Sequence, residues 1–167
     1  MLAAACGSGS PANEADPAAV EAASEVVKSY LGAIPAGEYA EACGLLAPEA
    51  QGQLADLARQ HRENALTVEP PSGSPFLMEL YRQSQLPVTS CETAFRFYES
   101  LGSLVIPGSA VIDKELYLSE QPLGQPEGTA TGTGAVEITF PESDRSIRLV
   151  GAGSDWQIAS LDFSEVR

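Results

Sequence analysis

The side chains able to do chemistry are few and scattered along this chain of 167 residues. Its one histidine, His61, stands between Arg59 and Arg62, one helical turn after Leu57. A histidine so placed can act as a general base. The C-terminal end of a helix also favours a cation for electrostatic reasons alone, and that plainer role at the edge of an apolar face fits the spacing better. The three cysteines, Cys6, Cys43 and Cys91, form no C-x-x-C pair and no Cys/His cluster. Zinc binding and thioredoxin-like exchange are therefore poorly supported. A cysteine nucleophile served by His61 requires Cys43 and Cys91 to be unpaired. No G-x-S-x-G elbow is present to expose a serine. The carboxylates Glu21/Glu25 and Glu38/Glu41 recur at helical spacing, but no histidine joins them and no calcium-loop spacing appears. They read as a solvated, mildly self-repelling face. Gly132-Thr133-Gly134 lies inside an extended pattern with no helix after it, so it bends or packs a sheet rather than cradling phosphate. Neither a metal nor a cofactor is expected.

Charge narrows the partners. The chain has 23 acidic and 9 basic side chains, a formal net charge of -14. Nucleic acid is excluded as a partner, because phosphate binding needs clustered cations. Adhesion to an anionic bilayer through a basic face is disfavoured for the same reason. With 44% hydrophobic and 19% charged residues, the bulk is a folded domain of ordinary size. No stretch approaches the ~18–20 apolar residues of a membrane-spanning helix.

The N-terminus reads Met1-Leu2-Ala3-Ala4-Ala5-Cys6-Gly7-Ser8-Gly9-Ser10, small residues directly before a cysteine and a Gly/Ser tract after it. This resembles the lipobox of bacterial lipoproteins, with Leu2 one place further out than the usual leucine. The resemblance implies that Cys6 becomes the mature N-terminus and carries acyl chains. It also implies a signal peptide whose basic and apolar parts are encoded upstream of Met1. Each buried CH₂ of an acyl chain contributes about 0.8 kcal/mol, and two or more chains anchor stably. Gly7 to Glu14 has linker composition, and about ten such residues reach roughly 17 Å. Residues 1–15 are thus read as lipobox remnant and tether, and residues 16–167 as one domain. The expected place is the extracytoplasmic face of the plasma membrane, with the bilayer as a partner through acylated Cys6. Disulfides persist in that compartment. Given export, Cys43 and Cys91 are expected to pair, which the chain-entropy model values at about 4 kcal/mol. The alternative is two buried thiols acting as small apolar residues.

The elements that position these residues fall into two halves. Asp16-Pro17 starts a first helix, Val20, Ala23, Val27, Tyr30, Leu31 and Ile34 keep its period, and Pro35 and Gly37 end it. A short second helix places Tyr39, Cys43 and Leu46 on one face, and a third runs from Pro48 to about Asn64 over Leu54, Leu57 and Ala58. Residues Glu69 to Pro75 are a loop by composition, and Phe76 to Tyr81 form one or two helical turns. Thr89 and Glu92 match a capping box that opens a helix to Leu101, with Cys91, Phe95, Tyr98 and Leu101 on one face. Strands follow. Ala110, Ile112, Leu116 and Leu118 share one face of an extended run. Gly128 to Phe140 alternates as one run, with Val136, Ile138 and Phe140 on one side. Ile147 and Leu149 alternate with Arg148, and Trp156 and Ile158 share a parity that Leu161 and Phe163 break. A bulge near Ala159 reconciles them, or both faces are covered there. Short turn-rich links predict an antiparallel meander, and helices before strands predict an α+β domain.

Gly37-Glu38-Tyr39-Ala40-Glu41-Ala42-Cys43 and the terminal Trp156-Gln157-Ile158 carry a second resemblance. Together with the long first helix and the cysteine-bearing helix, they resemble the nuclear transport factor 2-like superfamily. The likeness is nearest to its small extracytoplasmic lipoproteins of actinobacteria, with Glu38 where those carry Asp. It implies a curved antiparallel sheet of about four strands wrapped as a cone around the first helix, leaving a cavity. Tyr30, Phe95, Tyr98 and Trp156 are the candidate lining of that cavity, and core packing explains them equally well. Enzymes of the superfamily use a cavity acid or base with a Tyr or Asp donor, for which Asp113, Asp162, Tyr30, Tyr39 and Tyr117 are the candidates. No catalytic motif of the superfamily transfers residue by residue, so no catalytic residue is assigned. The expectation is a non-catalytic, lipid-anchored envelope domain binding a small apolar ligand or a protein partner. Alternatives are an interaction or spacer module with a filled cavity, and a small isomerase or dehydratase.

Overall fold

A computed structural model describes residues 16–65, 75–105, 111–113, 127–130, 134–140 and 145–160. Helix α1 (Pro17–Ala36) begins as its first residues dictate: the Asp16 carboxylate accepts from the Ala18 amide, and Pro17 occupies the first helical position. It ends in a left-handed Gly37 at φ 76°. Gly37 N–H donates to the Ile34 carbonyl and Glu38 N–H to the Ala33 carbonyl, so a Schellman pair satisfies two terminal acceptors. Helices α2 (Tyr39–Gly44) and α3 (Pro48–Ala65) follow with the predicted faces inward: Tyr39, Cys43, Leu46, Leu54 and Ala58 are buried, and Leu57 is partly so.

Helix α4 (Pro75–Ser84) is longer than the one or two turns expected. Helix α5 (Cys91–Ser100) corrects the capping assignment by one residue. Ser90, not Thr89, is its N-cap, and Ser90 and Thr93 form the reciprocal box. Leu101 caps the helix C-terminus and is 48% exposed, so it leaves the apolar face that Cys91, Phe95 and Tyr98 share.

The strand half is an antiparallel meander, as the short links predict. Strands β3 (Glu127–Ala130), β4 (Ala135–Phe140), β5 (Arg145–Ala152) and β6 (Asp155–Ile158) pair in sequence order. A separate antiparallel ribbon joins β1 (Ser103–Val105), which the sequence reading missed, to β2 (Val111–Asp113). Gly128 to Phe140 is not one run. It contains β3 and β4, paired with Gly128 opposite Ile138, and Gly134 turns at φ 75° just before β4. In the sequence the alternation runs on past Gly134 without interruption, which hides the break from a period-two reading.

Val136, Ile138, Ile147, Leu149, Trp156 and Ile158 pack with Ala23, Val27, Tyr30 and Ile34 of α1 and with Phe95 and Tyr98 of α5 in one core cluster. Helices are therefore packed on the inner face of an antiparallel sheet, the α+β class expected. Ala159 N–H still donates to the Arg148 carbonyl at 2.9 Å, so the ladder is regular to Ala159. Leu161 and Phe163, Ala110, Leu116 and Leu118, and the tether of residues 1–15 lie outside the described residues. No described helix is long and apolar enough to cross a membrane.

Candidate functional site

Helix α5 is the spine of the candidate site, because one face of it carries three of the nominated residues at helical spacing. At its first turn Cys91 bonds Cys43 of α2, 48 residues away in sequence and 6.0 Å between Cα atoms. Pairing removes the route in which a cysteine thiolate works with His61, since neither sulfur is free. One turn on, Phe95 stacks against Tyr39 at 5.4 Å between ring centroids and 10° between planes. Its ring also meets Tyr30 of α1, tilted by 56° at 6.2 Å. Both arrangements suit aromatic quadrupoles better than a face-to-face sandwich of larger overlap.

The hydroxyls in this cluster are engaged. Tyr30 is fully buried and donates to the Val105 carbonyl of β1 at 3.2 Å. Burial alone pushes its phenol well above the usual tyrosine range. The Tyr39 ring faces the Arg96 guanidinium at 5.8 Å. Its phenol is raised first by burial and then by the hydrogen bond and negative charge of Glu99, with Arg96 opposing. Tyr98 is buried, and its Oη lies 3.1 Å from His61 Nδ1 on α3, the rings meeting edge to face at 5.8 Å. Burial raises the Tyr98 phenol as well, so Tyr98 stays protonated at neutral pH and can share its proton with the imidazole.

His61 sits half-buried near the C-terminal end of α3, the edge position expected, but its tyrosine partner was not legible. The residues are 37 apart in sequence, and only the packing of α3 on α5 brings them together. The helical spacing of His61 from Leu57 and of Tyr98 from Phe95 places each side chain toward an apolar face but does not pair them.

Trp156 lies on β6 in the same core cluster, its indole donating to the Gly153 carbonyl at 2.9 Å in the β5–β6 turn. Asp113 ends β2, paired with Ser103. Asp162 and Tyr117 lie outside the described residues, as does Cys6. The structure thus gathers Tyr30, Phe95 and Tyr98 and adds Tyr39 and His61 to them. Comparison with family models, curated proteins and solved structures finds no match.

Proposed function

We propose that this chain is an exported envelope domain, held by acylated Cys6 on the extracytoplasmic face of the plasma membrane, that works by binding rather than catalysis. The proposal includes kinship with the lipoprotein branch of the nuclear transport factor 2-like superfamily. The observation that supports it most is the Cys43–Cys91 disulfide, because structural disulfides persist in oxidising compartments and are rare in reducing ones. The small residues before Cys6 and the Gly/Ser tract after it supply the anchor and the tether. A Cys6→Ser change in the full precursor is expected to move the protein from membranes to the soluble fraction. Unchanged partition would contradict the anchor.

Of the two kinds of partner, a protein is favoured over a small apolar ligand. Tyr30, Phe95 and Tyr98 are between 0% and 2% exposed; Tyr30 meets Phe95 at 6.2 Å and Tyr98 meets Phe97 at 5.2 Å between ring centroids, the spacing of aromatic rings in contact. Met78, Leu86 and Leu101 are 45%, 60% and 48% exposed and offer apolar contact outside. Native mass spectrometry of the folded protein is expected to give the bare mass. A mass excess lost on unfolding would mean a bound ligand and reverse the preference.

A further inference from the structure

The Cys43–Cys91 disulfide acts beyond the two helices it joins. Leu45, Leu46 and Ala47 follow α2 at once and lie along β6 as a short parallel partner. Ile158 N–H donates to the Leu45 carbonyl and Ala47 N–H to the Ile158 carbonyl, each at 2.9 Å. Gln51 of α3 braces the same corner, its Nε2 donating to the Cys43 carbonyl at 2.9 Å and the Leu46 carbonyl at 3.0 Å. The opposite side of β6 is taken by β5. The segment 45–47 therefore covers what is otherwise a sheet edge, a row of donors and acceptors open to another strand. Helix α2 has 6 residues, too few to persist without a tertiary anchor.

We infer that the Cys43–Cys91 disulfide is a redox-sensitive clasp: oxidised, it holds residues 45–47 over the outer edge of β6; reduced, it releases them and uncovers that edge. A dithiol opens it. Both cysteines are buried, so attack follows local opening of the α2 corner. One reductant thiolate attacks a sulfur, forming a mixed disulfide and freeing the other cysteine as a thiolate that takes a proton. The second reductant thiol then closes on the first and releases the remaining cysteine. The protein gains two electrons and two protons, and the dithiol ends as a cyclic disulfide. The inference stands whether or not Cys6 carries lipid.

Residue-resolved amide exchange on the full chain, with and without dithiothreitol, tests it. Successive amides of the last strand report on opposite sides, because Ile158 N–H faces Leu45 and Ala159 N–H faces Arg148 of β5. Reduction is expected to speed exchange at Ala47 and Ile158 by about tenfold or more beyond any acceleration at Ala159, which reports the loss of stability of the whole fold. Equal acceleration at Ala159 overturns the clasp, since the disulfide is then a staple of the whole fold; no change at Ala47 and Ile158 also overturns it. Gln51→Leu removes the brace but leaves the sulfur bond in place, and in oxidised protein Ala47 and Ile158 are expected to keep most of their protection. Oxidised Gln51→Leu protein that loses protection at both amides overturns the inference even where the reduced protein unfolds, because the Gln51 brace and not the disulfide then holds the segment.

Discussion

Gly151, near the end of β5, and Gly153, in the β5–β6 turn, stand two residues apart and tolerate substitution very differently. A Cβ on Gly151, at φ 156°, would overlap the Asp155 carbonyl oxygen and come within 2.8 Å of the Trp156 Cα. Backbone on both strands of the hairpin must then move. Gly151→Ala is expected to cost about 3 kcal/mol in denaturant unfolding. Gly153, at φ 63°, has open space around it, so Gly153→Ala carries only the left-handed penalty of about 1 kcal/mol. Equal losses at the two positions would refute the packing at Gly151. The buried phenols make a second prediction. Tyr30, Tyr39 and Tyr98 hold their protons more tightly folded than unfolded, where tyrosine ionises near pH ~10. Above that pH the unfolded chain releases protons that the folded chain keeps. Stability is therefore full below pH ~10 and falls as pH rises past it. In residue-resolved NMR titration the phenolates of Tyr30, Tyr39 and Tyr98 should appear together with unfolding rather than before it, and early titration of these three groups in folded protein would contradict their burial.

At the scale of elements, local chemistry was legible and register was not. Asp16-Pro17 and Gly37 bound α1 because a cap carboxylate, a proline and a left-handed glycine each act within their own turn. The α5 start was legible only to within a residue: Thr89 and Ser90 are both good caps by type, and the choice falls to whichever hydroxyl faces the third amide of the helix. Ser90→Ala is therefore expected to lower stability by about 1 kcal/mol, against almost nothing for Thr89→Ala. Thermal melts that reverse this order would restore the Thr89 reading. Strands β3 and β4 were read as one because alternation carries no mark of a turn when the residues around Gly134 keep the same parity. The contact of His61 with Tyr98 depends on how α3 crosses α5, which no local pattern encodes. Tyr98→Phe, which removes that hydrogen bond and keeps the ring, is expected to cost about 1 kcal/mol.

For the whole molecule, the disulfide links the sequence reading to the compartment. It closes a loop of 48 residues between α2 and α5, for which the chain-entropy model gives about 4 kcal/mol. Reduction is expected to lower the melting temperature on the order of 10 °C. The sequence favours the pairing on the condition of export, with two buried thiols as the alternative, and the packing of α2 on α5 brings the two sulfurs together. The anchor rests on Cys6 and its small neighbours, and the account as a whole rests on export. Intact-mass analysis of the protein from membranes of the organism that makes it tests that claim most directly. The account predicts a membrane-bound chain beginning at acylated Cys6, two hydrogens lighter than its thiol form. A soluble chain that keeps Met1 and shows three alkylatable cysteines would contradict it.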